Sequence, residues 1–190
     1  MMLIILINKI IEMELKNMEW RRVNHGPIGM PLIDYLEIII DEQHELGNKI
    51  KVCVGTDSQK KGKGFKYATA ILLEMKEPTG IKIQGKMTYK GIGAKVISGV
   101  FIERIKPSIR QRMLKEVQLS IDVCFHIVDL IDLYDIDMEI HADVNPNPMW
   151  ASNVALSEVV GFCKGMNFTY KVKPEAYAAS SGADKLCNGG

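Results

Sequence analysis

At 190 residues the chain can bury one full core but not two comfortable ones, so one main domain is expected. A hydrophobic content of 47%, a charged content of 25% and a formal net charge of +1 describe an ordinary soluble globular protein, and global charge argues neither for nor against nucleic acid. Cys53, Cys124, Cys163 and Cys187 lie far apart with no CxxC pair, which argues against a disulfide frame or zinc site and for reduced, cytoplasmic usage.

The apolar start, residues 1–7, stops at Asn8 and Lys9, far short of the ~20 residues a membrane span needs. It lacks the basic n-region and small-residue cleavage site of a signal peptide, so no membrane association is expected. The stretch reads as an amphipathic helix docked on the body or on a partner copy, or as an upstream start with Met13 and Met18 as alternatives. Gly26, Pro27 and Gly29 give residues 19–30 a linker-like composition. Residues 1–30 are thus expected as a helical extension and linker, and residues 31–190 as the domain.

Pro31 opens a helix in which Leu32, Tyr35, Leu36, Ile39, Ile40 and Gln43 follow i, i+3, i+4 spacing, with Gly47 at the C-cap. Lys51 to Asp57 then reads as a strand. Val52, Val54 and Thr56 share one face, and Cys53, Gly55 and Asp57 the other. Two small residues before an acid let a ligand approach, although Asp also commonly ends a strand. Lys60 to Lys66 has the form of a lysine-rich hairpin turn, but lacks the residues of a phosphate loop. A strand at 67–75 follows, then a third at 81–89 bracketed by Gly80 and Gly91. Residues 94–105 read as a strand extension or a covering loop.

Ser108 and Gln111 match a capping box for a long helix ending near Leu133. Its buried stripe is expected at Ile109, Met113, Val117, Ile121, Cys124, Val128 and Ile131, with Glu116 at the margin. Most such glutamates reach solvent. Met138 to Val144 forms a strand with His141 and Asp143 on one face, halted by Asn145-Pro146-Asn147-Pro148. His141 is a candidate accessory ligand or proton shuttle, although most such histidines are simply packed. Ser152 or Asn153 caps a helix from Val154 to Lys164, Phe168 to Val172 is a fifth strand, and Pro174 begins a last helix carrying Asp184.

This order, helix, three strands, long helix, strand, helix, strand, helix, matches a ribonuclease H-like α/β architecture by fold analogy. It predicts a mixed five-stranded sheet of order 3-2-1-4-5 flanked by helices, with an N-terminal helical extension. The first and fourth strands would then be neighbours, gathering Asp57, Asp143, Glu116 and Asp184. Converging carboxylates repel unless cations intervene, and an all-oxygen cluster suits Mg²⁺ or Mn²⁺.

Gly55-Thr56-Asp57-Ser58-Gln59, Ile140-His141-Ala142-Asp143-Val144-Asn145-Pro146, Val159 to Met166 and Lys173 to Asp184 resemble the ribonuclease H-like YkuK family over about residues 31–186. Against the wider ribonuclease H superfamily, the resemblance aligns Asp57 and Asp143 with the first- and fourth-strand acids. It aligns Glu116 with the acid on the first crossover helix and Asp184 with the late-helix acid. The implied function is Mg²⁺- or Mn²⁺-dependent hydrolysis of structured or hybrid DNA or RNA by a two-metal carboxylate site. The alternative is a non-catalytic nucleic-acid-binding or protein-interaction module of the same fold. Residues 90–106 exceed a minimal domain and are expected to cover the cleft and restrict duplex entry. Beyond Lys60–Lys66, only Arg110 and Arg112 stand out as basic groups for a duplex groove.

Overall fold

The computed structural model describes residues 15, 18–23 and 25–178. In chain order it forms β1 (Glu19–Arg22), β2 (Gly26–Pro27), α1 (Leu32–Glu45), β3 (Lys49–Lys61), β4 (Gly64–Ile83), β5 (Lys86–Glu103) and α2 (Ile109–Leu133). After these come β6 (Asp137–Ala142), a short 3-10 turn (Ala151–Ala155), α3 (Leu156–Gly165) and β7 (Thr169–Val172). The expected N-terminal helix and its oligomer contact, and Asp184 on the last helix, lie outside the described residues.

Among the described residues the sheet has seven strands, ordered β2-β1-β5-β4-β3-β6-β7, which corrects the expected count of five and its 3-2-1-4-5 order. The run β5-β4-β3-β6-β7 keeps an antiparallel meander followed by two parallel crossovers. The added strands come from the stretch expected as linker. β1 pairs antiparallel with β5, and Trp20 lies across from Gly99, where a Cβ would stand 3.0 Å from the indole ring. A glycine there opens room for the aromatic ring, so a flat non-local contact replaces a linker.

The third strand is also redrawn. β4 and β5 run 20 and 18 residues and turn at Gln84 and Gly85, both with positive φ, as a two-residue hairpin requires. Residues 81–89 are therefore the hairpin tip. Gly80 lies in the irregular register between Pro78 and Lys82, and an unpaired Ile92 between Gly91 and Gly93 makes a bulge. These glycines bend strands rather than end them. Residues 90–103 belong to β5, whose early part pairs with Lys76 and Glu77 at the end of the sheet away from Asp57. They do not cover a cleft at Asp57.

The main core lies between one sheet face, bearing Val52, Val54, Ile71, Leu73, Ile97 and Ile140, and the helices α1, α2 and α3. Ser108 and Gln111 form the capping box that starts α2. The α2 stripe is wider than one apolar row, because sheet and helices both pack on it. Leu119, Val123, Ile127 and Leu130 are buried as well, whereas Ile109 is exposed and Val128 only half-buried. Each fully buried aliphatic contributes about 1.5–3 kcal/mol. Residues 173–175 form a turn rather than the start of a helix. Among the described residues, no helix is long and apolar enough to cross a membrane.

Candidate functional site

β3 runs parallel to β6 with Val54 opposite Ile140. That is the last pair of the ladder: Asp57 lies three residues beyond it on β3, and Asp143 lies one residue beyond the end of β6, in a tight turn whose Val144 N–H donates to Ala142 O at 2.8 Å. Neighbouring strands lie ~4.8 Å apart, so the two aspartates come from adjoining strands near the end of the β3–β6 ladder, although β3 itself runs on to Lys61 against β4. Asp57 is half-buried, and its Oδ1 accepts the Ser58 N–H at 2.8 Å.

Glu116 approaches from the helical side. Thr56 and Ser58 face α2: Thr56 Oγ1 lies 2.8 Å from Ser120 Oγ, and Ser58 Oγ donates to Glu116 Oε1 at 2.5 Å. Glu116 is 2% exposed, so it does not reach solvent as a marginal glutamate would. Burial pushes its pKa well above the ordinary 4.5, the Ser58 hydroxyl opposes this, and the charges of Asp57 and Asp143 push it further up. Arg112, one turn earlier, brings Nε to 3.8 Å from Glu116 Oε1, an ion pair too long for a hydrogen bond. Its guanidinium sits over the Phe65 ring. Three of the four expected carboxylates thus fall within electrostatic reach of one another, although strand alternation starts Asp57 and Glu116 on opposite faces.

Asp143 is half-buried, and Lys173 Nζ stands 2.6 Å from its Oδ1. That oxygen is itself fully covered and accepts no well-directed hydrogen bond. The pair is therefore held by charge rather than by hydrogen-bond geometry. Lys173 follows β7, whose Val172 pairs with Ala142, so the sheet itself brings the lysine beside the aspartate.

A family model described as ribonuclease H-like matches residues 34–188. The chain belongs to that family. No curated protein and no solved structure matches the chain. The resemblance read in the four sequence blocks is borne out, and the mixed α/β architecture agrees with a ribonuclease H-like fold.

The carboxylate end of this ribonuclease H-like sheet is also basic. Lys60 and Lys61 end β3 and Lys63 lies in the two-residue turn to β4, so the expected turn over Lys60–Lys66 is shorter; Phe65 beside it pairs with Glu103 at the end of β5. Arg104 and Lys106 follow immediately and are exposed. Lys115 on α2 lies over the Phe101 ring. Sequence reading missed Arg104, Lys106, Lys115 and Lys173, since only the fold gathers them. Arg110 is less available than its sequence suggests, because Glu158 on α3 holds it at 2.8 Å.

A second cluster lies further back along the face of β3 that carries Asp57, opposite the face packed on α2. Cys53, Glu139 and His141 place a thiol, a carboxylate oxygen and a ring nitrogen within 4.8 Å of one another, a spacing compatible with a metal ion. Its hydrogen bonding speaks for a structural role. His141 Nδ1 accepts the backbone N–H groups of Tyr177 and Ala178, at 3.3 and 3.1 Å, so the neutral ring carries its proton on Nε2, toward Glu139. A cation on Nε2 would move that proton to Nδ1, against two donors. Glu139 is already paired with Lys51 at 2.8 Å and Lys171 at 3.5 Å. Burial lowers the His141 pKa and pushes the Cys53 thiol up to about 11. His141 pins the segment leaving β7 to β6, and the packed reading of this histidine describes it better than the proton shuttle.

Proposed function

We propose that the protein hydrolyses phosphodiester bonds of DNA or RNA, using Mg²⁺ or Mn²⁺ held by Asp57, Glu116 and Asp143, with Asp184 as the fourth carboxylate implied by the family resemblance. The observation that carries this reading is the burial of Glu116 within electrostatic reach of two further carboxylates. A covered acid that feels the charges of Asp57 and Asp143 is favoured in its protonated form unless a cation joins it. The donor set is all oxygen, which suits these hard ions, and Asp143 Oδ1 is covered without a directed hydrogen bond.

Bound there, a divalent ion would supply charge stabilisation at phosphorus and a more acidic water. The chain's own contribution is positioning. Ser58 fixes the Glu116 carboxyl, Asp57 and Asp143 would close on the ion from the neighbouring strands β3 and β6, and the lysine turn with Arg104 and Lys106 would attract the phosphate backbone. The test is a Mn²⁺-dependent rise in melting temperature together with cleavage of a nucleic acid panel. Asp57→Asn abolishes both if the reading holds. A wild-type protein that neither shifts nor cleaves would overturn it.

One observation favours a second reading. Lys173 at Asp143 and Arg112 near Glu116 are internal cations that offset part of the carboxylate charge without metal. A non-catalytic nucleic-acid-binding module would use them permanently. It would bind with strong salt dependence, and Asp57→Asn would leave that binding intact.

A further inference from the structure

Beyond Asp143 the chain enters Asn145 to Trp150 and returns through the 3-10 turn. Met149 and Trp150, at the far end of this loop, are 90% and 61% exposed. The loop is firmly built. Asn145 Oδ1 accepts the Asn147 N–H at 2.9 Å, and Asn147 Oδ1 accepts the Met149 N–H at 3.0 Å. The Trp150 N–H donates to Asn147 O at 3.1 Å. Ser152 Oγ accepts the Asn145 N–H at 3.2 Å, and Asn153 Nδ2 donates to the carbonyls of Asn145 and Pro146. Ser152 and Asn153, which sequence reading assigned to a helix cap, instead close this loop. A large aromatic is held out from the surface by a scaffold that buries neither it nor its neighbour.

Its position gives the ledge a meaning. The Asn145–Ser152 closure is two residues from Asp143 and two from Trp150, which keeps Trp150 within about 20 Å of that carboxylate by chain length. Along this end of the sheet the order is β5, β4, β3, β6. Arg104 and Lys106 therefore come first, then the lysine turn between β4 and β3, then Asp57 and Asp143, and last the loop bearing Met149 and Trp150. A chain laid across the strand tips meets cations, carboxylates and an open aromatic face in that sequence. Phosphates suit the first, a scissile phosphodiester the second, and an unstacked base the third.

We infer that Trp150, flanked by Met149, is a stacking platform for an unpaired base, and that the substrate is a single-stranded or frayed nucleic acid. Bases inside a duplex already stack on both faces, whereas a single strand offers each base to an aromatic ring without sequence preference. This inference rests on the proposed function for the path over Asp57 and Asp143, but the stacking contact itself needs no metal. It narrows the expected structured or hybrid substrate to its unpaired segments.

The test is binding in EDTA, with fluorescein-labelled twelve-nucleotide dT and U strands and a twelve-base-pair duplex as probes. Trp150→Ala is expected to weaken single-strand binding about tenfold or more and to leave duplex binding unchanged, while Trp150→Phe retains most of the affinity. In a Trp20→Phe background the remaining Trp150 emission is quenched on saturation with dT. Equal single-strand affinity of the wild type and Trp150→Ala would overturn the inference, as would an unquenched Trp150. A change of Trp150 emission with protein concentration alone would assign the ledge to a second copy of the chain and overturn it too. Failure of the Mn²⁺ shift with stacking preserved would sink only the hydrolytic reading, and retention of the Mn²⁺ shift by Trp150→Ala separates the two.

Discussion

Ser58 Oγ donates a 2.5 Å hydrogen bond to Glu116 Oε1, joining the residue after the first-strand acid to the buried acid of α2. Both groups are covered, so the bond has no water to replace it. Ser58→Ala leaves the carboxyl under-satisfied, and the cost of such a loss is about 1–3 kcal/mol. Urea denaturation should show that loss as a lower midpoint with an unchanged slope. A midpoint equal to that of the wild type would mean that the bond contributes nothing.

The elevated pKa of Glu116 has a signed consequence for the metal-free protein. A folded-state pKa raised above the ordinary 4.5 favours folding fully below that value, and the advantage is lost as pH rises through the folded pKa. Glu116→Gln carries no such titration. In EDTA the variant should therefore gain stability over the wild type as pH is raised from 4.5 toward neutrality, and the gap should close again on acidification. Parallel melting curves across that range would contradict the assignment of burial as the cause.

Lys173 stands where it neutralises Asp143, and a cation at that carboxylate must compete with it. Lys173→Met should lower metal-free stability only slightly, by about 0.2–1 kcal/mol, because the lysine is 41% exposed. The same change should tighten Mn²⁺ binding severalfold in calorimetry. Unchanged affinity would show that the ammonium and the ion do not share the site.

His141 holds the backbone of Tyr177 and Ala178 and is fully buried. His141→Ala removes that acceptor and leaves a cavity, at a cost of about 2–4 kcal/mol. Its effect should be on stability alone, with the Mn²⁺-induced shift retained. A lost Mn²⁺ shift in an otherwise folded variant would move the metal to the Cys53 cluster.

Local signals in the chain were legible where they act locally. The Ser108 capping box starts α2, the strand through Asp57 forms but runs four residues past the expected end to Lys61, and the four sequence blocks point to the ribonuclease H-like family. Pairing between distant segments left weaker traces. The β1 contact of Trp20 with Gly99 joins residues too far apart for any turn signal, and composition alone reads that stretch as linker. Gly80 and Gly91 look like strand ends, but they bend a continuous hairpin. Glu116 looked marginal because one apolar stripe was assumed, whereas the sheet and the packed helices cover α2 from several sides. Lys173 carried no signal of its own, since only the β6–β7 pairing places it beside Asp143.

The most direct measurement is the anomalous difference density of crystals soaked in Mn²⁺. The account predicts a peak bounded by the carboxylates of Asp57, Glu116 and Asp143, absent from Asp57→Asn crystals. A peak among Cys53, Glu139 and His141 instead, or none at the strand tips at saturating Mn²⁺, would contradict it.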